Sequence, residues 1–570
     1  MKSRVFQIFS VALAVLVAFG NFAFAAGEDE QWPMPDNPAF GHHSVLIQDN
    51  DIHGTAFSLL TMQAGENNYI CSSLQDPKCA SATSGRYRAM LPACVSETDY
   101  DCIVGLEAVS ASGVKAEGKL VEYIYGNKHP NEFTGDGKNT PLHAGDPSIW
   151  SISGAPHAFG SEYGVVVGLD NNFQVGQSSF TDAAFYMNIF PISRMATAYT
   201  APDINGYANY AKCQEKKSGE ITTIGCGAGA QEFGKYRCAL KMIEGATCLL
   251  QHAFPQDVRY KLVVRLGQEP SGMLHGRIRD PQISITQGAN FTTISVEAGT
   301  VQVPVLYSGG DWNTLPAVLQ QYWDQCISTN LCGFSTRQAT GNIKSDPLRR
   351  NVQDYALPYG DRSLKLISTF ANSVKDTSVA APTSWNIRTL GVDRSLNAPK
   401  CFTTGVGFKG VVTTNSTTYS EGPPAFEDGN LNYKVASLHY LPNGDVFKGN
   451  YNLVLRSDVA RCLYGFSKAP ISASISILSA DGSNQVATTV VNERDNWLYL
   501  TAAGFTFSSP TIKVKLTQET PVASPTPKPE ITTQAAPAKK FTITCTKGKL
   551  KKKLTASNPK CPAGYKKVAK

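Results

Sequence analysis

Apolar and polar residues alternate along much of this chain. Ile471, Ala473, Ile475 and Ile477 are interleaved with Ser472, Ser474 and Ser476, and Ile512, Val514 and Leu516 with Lys513 and Lys515. Tyr451, Leu453 and Leu455 follow the same period. Successive side chains of a strand point to opposite faces, so period two predicts strands that cover a core on one side only. Val165-Val166-Val167 and Leu262-Val263-Val264 are continuous apolar runs, the pattern of strands buried on both faces. Asn443-Gly444 and Asp481-Gly482 stand between such runs, where type I′ hairpin turns require positive φ. One helix is predicted near 314–325. Leu315, Val318, Leu319, Tyr322 and Trp323 fall on one side of it, Asn313 or Thr314 can cap it, and Pro316 suits its first turn. Its stripe reads as packing on a sheet, with ligand stacking by Trp312 or Trp323 as the alternative. The fold class expected is mainly β, with antiparallel β-sandwich domains, Ig-like or jelly-roll-like.

Length and composition divide the chain. At 570 residues it exceeds one ordinary domain. Charged residues at 17% and hydrophobic ones at 42% exclude wholesale disorder, a coiled coil and a polytopic membrane protein. Lys2 and Arg4, the apolar run Val5 to Phe24 and the exit Ala23-Phe24-Ala25 read as a secretory signal peptide over 1–25. No later stretch reaches the roughly 18 apolar residues of a membrane span, so no transmembrane segment is expected after cleavage. The remainder divides into a β-rich, disulfide-containing region over 26–360 that could hold two domains, a second sandwich over 361–520, a Pro/Thr/Ala-rich linker over 521–540 and a Lys-rich tail over 541–570.

The cysteines fit export. Cys71, Cys79, Cys94, Cys102, Cys213, Cys226, Cys238, Cys248, Cys326, Cys332, Cys401, Cys462, Cys545 and Cys561 are even in number and show neither C-x-x-C nor zinc-finger spacing. Disulfides are the expected state. Cys71–Cys79 and Cys94–Cys102 share C-x-S-x-x-D-x-x-C, with turn-forming Ser73, Asp76, Ser96 and Asp99 inside. Each pair can close its own loop, and cross-pairing is the alternative. Cys401 and Cys462 are expected to staple the second sandwich, and Cys545 and Cys561 to close the tail.

Charge sets the tail apart. From Lys539 onward there are eleven Lys and no acidic residue. Setting these and Lys2 and Arg4 aside from the 52 basic residues leaves 39 against 46 acidic ones. The chain is therefore an acidic body with a cationic end. Lys547, Lys549, Lys551, Lys552, Lys553, Lys560, Lys566 and Lys567 are the expected surface-anchoring residues. Outside a cell they would meet an anionic wall polymer or polysaccharide. DNA would suit the same charge, but export sets nucleic acid aside.

Ile543-Thr544-Cys545-Thr546-Lys547-Gly548-Lys549 and Asn558-Pro559-Lys560-Cys561-Pro562-Ala563-Gly564-Tyr565-Lys566-Lys567, after a Pro/Thr linker, resemble the C-terminal tails of secreted actinobacterial envelope proteins. Arg456 to Phe466, Ala487 to Val491 and Phe505 to Pro510 resemble a β-module of the same kind of protein, and Leu274-His275-Gly276-Arg277 before Asp280-Pro281 is similar. The resemblance implies a location and a class, with no chemistry attached.

Enzyme signatures are weak, and no catalytic residue, metal ligand or cofactor is assigned. G-x-S-x-G, H-E-x-x-H and both phosphate-loop patterns are missing. Ser112 to Lys115 matches S-x-x-K without its partner motifs. Asp49-Asn50-Asp51 begins like a calcium loop, but position twelve is Leu60. His42-His43 reads as exposed loop, with metal binding as the alternative. His129 and His143 read as residues of a polar, Gly-rich loop, with a site shared with Asp136 or Asp146 as the alternative. His275 beside Arg277 suits anion binding or, equally, a satisfied strand-end histidine. Trp32, Trp150, Trp385 and Trp497 are candidates for sugar stacking. The expectation is a secreted, non-catalytic surface protein, structural or adhesive, able to enter a surface assembly of its own and held at an anionic wall by its tail. An extracellular carbohydrate- or polymer-binding protein, and then a secreted hydrolase, are the alternatives.

Overall fold

The computed structural model describes residues 41–49, 58–65, 67–124, 144–175, 184–194, 238–241, 248–329, 334–337, 348, 351–390, 399–405, 407–467, 471–478, 484–485, 488–507, 510–518 and 539–569. The expected signal peptide, the linker from 521 to 538, Trp32, His129, Asp136, His143, Asp481-Gly482, Cys213, Cys226 and Cys332 lie outside them. The chain divides into two compact units. One is Met1–Lys468 with Ser472–Thr517, and the other is Ala469–Ile471 with Gln518–Lys570.

The first unit is mainly β, and most of its strands pair antiparallel. Its main sheet runs, neighbour by neighbour, through Thr488–Arg494, Trp497–Phe505, Gly449–Arg456, Phe408–Thr414, Gly272–Arg277, Thr383–Thr389, Ala184–Arg194, Glu162–Gln174, Ser84–Met90, Leu59–Ala64 and Asn67–Cys71. A five-stranded sheet of Arg279–Gln287, Thr292–Gly299, Val258–Leu266, Cys102–Ser110 and Lys115–Glu117 shares one hydrophobic core with it. Leu60, Tyr87, Val165, Met187, Leu274, Trp385 and Val411 of the first sheet meet Ile103, Leu106, Tyr260, Leu262, Val264, Ile294 and Val296 of the second. Two sheets closing on one apolar layer make a β-sandwich. The buried rings bring polar atoms that need partners. Trp385 Nε1 donates to Ala298 O at 3.1 Å, and the hydroxyls of Tyr163 and Tyr260 lie 3.0 Å apart.

The main sheet crosses residue 360, where the sequence suggested a division. Thr383–Thr389 lies between Gly272–Arg277 and Ala184–Arg194, paired to both. Long-range strand pairing of this kind leaves no trace in the local sequence.

Beside the sandwich stands a four-stranded sheet in the order Leu306–Asp311, His42–Ile47, Asn351–Ala356, Phe334–Arg337. His42–Ile47 and Asn351–Ala356 run parallel. The predicted helix spans Ala317–Thr329. Leu315, Leu319 and Trp323 pack on Val45, Ile47, Leu306 and Ala356 as expected, whereas Val318 is exposed. Thr314 does not cap it. Its hydroxyl donates to Asp311 O, and the carbonyl of Pro316 takes the first helical bond, from Gln320 N. One helix was too few. Asp361–Phe370, Lys400–Thr403 and Ser457–Tyr464 are also helical. They are short, and tertiary packing of Leu366, Ile367 and Phe370 supplies what isolated helix propensity does not. Ser457–Tyr464 lies within the stretch that resembled a β-module, and its strands flank it.

Two strand expectations and one turn change. Val165–Val167 is buried on both faces, but Val263 is only half-buried, so Val258–Leu266 alternates. Gly449–Arg456 is buried almost throughout. Its polar face holds Asn450 and Asn452, which is bonded to Thr413 and Thr501, and hydrogen bonding makes that burial tolerable. At Asn443-Gly444 the turn is not type I′. Pro442 precedes Asn443, Gly444 alone carries positive φ, and Gly444 N and Leu441 N close on Leu441 O and Asp445 O. A proline held near φ −65° sets a type I turn followed by a left-handed glycine.

Candidate functional site

The tail module is built from three strands. Phe541–Lys547 is central, flanked by Leu550–Ala556 and Lys566–Lys567, all antiparallel. Gly548, with φ 59°, opens the two-residue turn between the first pair, the position where a II′ turn takes glycine. Gly564, with φ 84°, sits in the turn that Tyr565 N closes on Pro562 O. Cys545 is bonded to Cys561 and fully buried. Around this small centre Lys539, Lys540, Lys547, Lys549, Lys551, Lys552, Lys553, Lys560, Lys566 and Lys567 are all exposed. The expected anchoring lysines are therefore gathered on one closed, solvent-facing module.

The other disulfides follow the local pattern. Cys71–Cys79 and Cys94–Cys102 each close their own loop, and Cys401–Cys462 staples the second half. Asp76 accepts from the backbone N–H groups of Ser72 and Lys78, which hold its carboxyl below the usual range. Asp99 is lowered in the same way by the Ser96 hydroxyl and the N–H groups of Ser96 and Val95. The repeated Ser and Asp of the motif are thus two copies of one turn. Cys326 is also disulfide-bonded. Cys238 and Cys248 lie on the paired strands Cys238–Lys241 and Cys248–Gln251.

The second cluster is buried. Gly272–Arg277 places Leu274 in the sandwich core and turns His275 and Arg277 to the opposite face. The parallel pair of the four-stranded sheet delivers Asp49, just past Ile47, and Tyr359, just past Ala356, to the same place. Arg277 is fully buried. It pairs with Asp49 through Nε and donates through Nη1 to Thr414 O at 2.9 Å and Ser416 O at 2.6 Å. The Tyr419 ring lies beneath its guanidinium at 4.6 Å and stacks on His275 at 3.6 Å. Arg388, opposite His275 on the next strand, donates to the Tyr419 hydroxyl and covers the Tyr359 ring at 4.8 Å. Burial, and then the Arg277 and Arg388 charges, push His275 far down, so it is neutral. Among the described residues neither of its ring nitrogens has a hydrogen-bond partner. The chain's own acceptors occupy Arg277, so the cluster is a structural core. It is neither the anion site nor the satisfied strand-end histidine that the sequence suggested.

Other candidates resolve simply. Trp150, Trp385 and Trp497 are buried in the sandwich core and present no ring to a sugar. Trp323 is buried too, and Trp312 packs on His43 at 4.8 Å. His43 is fully buried at the start of a strand, not in a loop, and His42 reaches the Tyr307 hydroxyl at 3.0 Å. Asp49 pairs with Arg277, and residues 50–57 of the loop it would open lie outside the described residues. Ser112 sits on an exposed turn and Lys115 begins the exposed strand Lys115–Glu117, and Asp146 is buried. Among the described residues no group of three His, Cys, Asp or Glu is placed to hold a metal ion, and no helix is long and apolar enough to cross a membrane. Sequence reasoning missed one contact entirely. Ser193 Oγ lies 2.6 Å from Nε2 of the buried His252, whose ring stacks under Phe159 at 3.9 Å. Its members are 59 residues apart, beyond any local motif.

No protein-family model, no curated protein and no solved structure matches this chain.

Proposed function

We propose that this is a secreted, non-catalytic surface protein, structural or adhesive, held at an anionic cell-envelope polymer by its tail. The observation that carries the reading is the closed tail module, with ten exposed lysines and no acidic residue in its sequence. Each lysine near an anionic surface contributes about 1 kcal/mol at moderate salt, so several acting together suffice for retention. Disulfides through body and tail fit an oxidising compartment. The test is fractionation of an exporting Gram-positive host expressing the full chain or one stopped after Glu519. Retention of the full chain alone, reversed by a high-salt wash, is expected. Equal retention of both forms would remove the tail from the mechanism.

The Ser193–His252 contact favours a second reading, a secreted hydrolase, because a serine bonded to a histidine is the start of a nucleophile–base pair. A fluorophosphonate probe labelling the wild type but not Ser193→Ala would support it. An unlabelled wild type would leave the surface reading alone.

A further inference from the structure

The two faces of the tail module differ. Alternation along Phe541–Lys547 puts Thr542, Thr544 and Thr546 on one face and Phe541, Ile543 and Cys545 on the other. The disulfide to Cys561 brings the chain over the Cys545 face, where Ile543 and Leu554 are half-buried. The threonine face is open. Lys551 lies opposite Thr546, which lies opposite Lys566, and Lys553 lies opposite Thr544. Thr555 lies opposite Thr542, with their hydroxyls 2.7 Å apart. Thr542, Lys551, Lys553, Thr555 and Lys566 are exposed, and Thr544 and Thr546 are partly so. Hydroxyls thus recur along the central strand roughly every 6.8 Å, with ammonium-bearing strands about 4.8 Å to either side.

We propose that this face is a track for a linear phosphodiester polymer, with phosphates seated along the threonine row between Lys551 and Lys553 on one side and Lys566 on the other. The inference rests on the anchoring reading and names its ligand. A phosphodiester offers non-bridging oxygens that accept from a hydroxyl and an ammonium together. Its repeat in an extended three-carbon backbone is close to the threonine spacing. The tail contains no Arg, so its cationic donors are ammonium point charges, which hold phosphates without a bidentate fork. Among the described residues of the module's strands, no aromatic side chain lies on this face to stack on sugar rings. The exposed Phe541 and Leu550 belong to the opposite face, which argues against insertion of this face into a bilayer.

The experiment compares three full-length proteins: the wild type, Lys551→Gln/Lys553→Gln/Lys566→Gln, and the charge-matched Lys549→Gln/Lys552→Gln/Lys567→Gln. Binding is titrated at fixed ionic strength against poly(glycerol phosphate), polygalacturonate and phosphatidylserine vesicles. All six positions are exposed, and mass analysis of the Cys545–Cys561 bond reports that the module is formed. The track predicts that the first triple loses roughly tenfold more affinity for poly(glycerol phosphate) than the second, and that Thr544→Val weakens binding with no change of charge. Equal losses in the two triples would overturn the track and leave the anchor standing. Equal or tighter binding of wild type to polygalacturonate or to the vesicles would overturn the phosphodiester assignment. A wild type that binds none of the three would overturn track and anchor together.

Discussion

The body and the tail use charge in opposite ways. In the body, the cations that matter for the fold are answered by carboxylates, and one of them, Arg277, is fully inside. Arg277 meets Asp49 and two carbonyls, Arg86 and Arg88 converge on Asp170, and Arg362 and the Tyr322 hydroxyl converge on the buried Asp354. In the tail, cations lie outside and no carboxylate of the module's own sequence is there to answer them. A buried charge demands a particular partner at a particular place, and so it specifies a fold. Crowded exposed charges of one sign repel each other, and they invite a partner from elsewhere. The tail tolerates its repulsion because a disulfide closes a loop spanning 16 residues, a constraint of about 3 kcal/mol by chain entropy. Body variants should therefore move unfolding and leave retention untouched, and tail variants should do the reverse.

The largest effect is expected at Arg277. Arg277→Met strands the Asp49 carboxylate and the carbonyls of Thr414 and Ser416 in the interior. Breaking a buried pair in this way costs about 3–5 kcal/mol, read as a drop in the denaturant midpoint of the full chain. Salt-reversible retention of whatever folds should match the wild type. Loss of retention with the tail intact would break the separation of roles. Next comes Cys401→Ser/Cys462→Ser. The sequence separation is 61, for which chain entropy gives about 4 kcal/mol. The same arithmetic gives about 2.5 kcal/mol for Cys71→Ser/Cys79→Ser, with a separation of 8. If the short loop proved the more costly to open, local turn geometry around Asp76 would outweigh chain entropy.

These sites differ in how far the sequence betrayed them. The tail was legible because everything it needs is local: thirty-odd residues carry the charge, the glycines and both cysteines. The nine-residue disulfide loops were legible for the same reason. Strand type was readable at Val165–Val167 and at Ile512, Val514 and Leu516. It failed at Gly449–Arg456, where Asn450 and Asn452 look like a wet face and are instead bonded inside. The Arg277 cluster could not be assembled, because Asp49, His275, Arg388 and Tyr419 come from four distant segments. Helix Asp361–Phe370 was overlooked because its apolar stripe is only a few residues long. The tryptophans misled for a simpler reason: composition counts aromatics and does not say which way they face.

Two buried titratable groups complete the comparison, and they act with opposite signs. His275 is neutral in the fold, faced by Arg277, Arg388, Asp49 and the Tyr419 ring. Its lowered pKa contributes stability that is present above the unfolded value near 6.5 and is lost as pH falls. His275→Phe keeps a ring on Tyr419 and should flatten that acid limb. An unchanged slope below about pH 6 would mean that the limb belongs to other groups.

Asp101 is the subtler case. It sits buried with φ 53°, and burial raises its carboxyl to about 7 although Gly267 N–H donates to it at 2.8 Å. Its contribution is full below the unfolded value near 3.8 and is lost as pH rises to about 7. In the upper part of that window His275 gains what Asp101 gives up, so the wild type should look nearly flat there. Asp101→Asn uncouples them. Asparagine accepts the same Gly267 bond, tolerates the left-handed backbone and cannot ionise. The variant should gain on the order of 1 kcal/mol relative to wild type between about pH 6 and pH 8, read from denaturant midpoints at the two pH values. A difference that does not change with pH would show that Asp101 is already ionised in the fold, with Gly267 N–H outweighing burial. Retention at the envelope should not respond, since Asp101 belongs to the body and the lysines that carry retention belong to the tail.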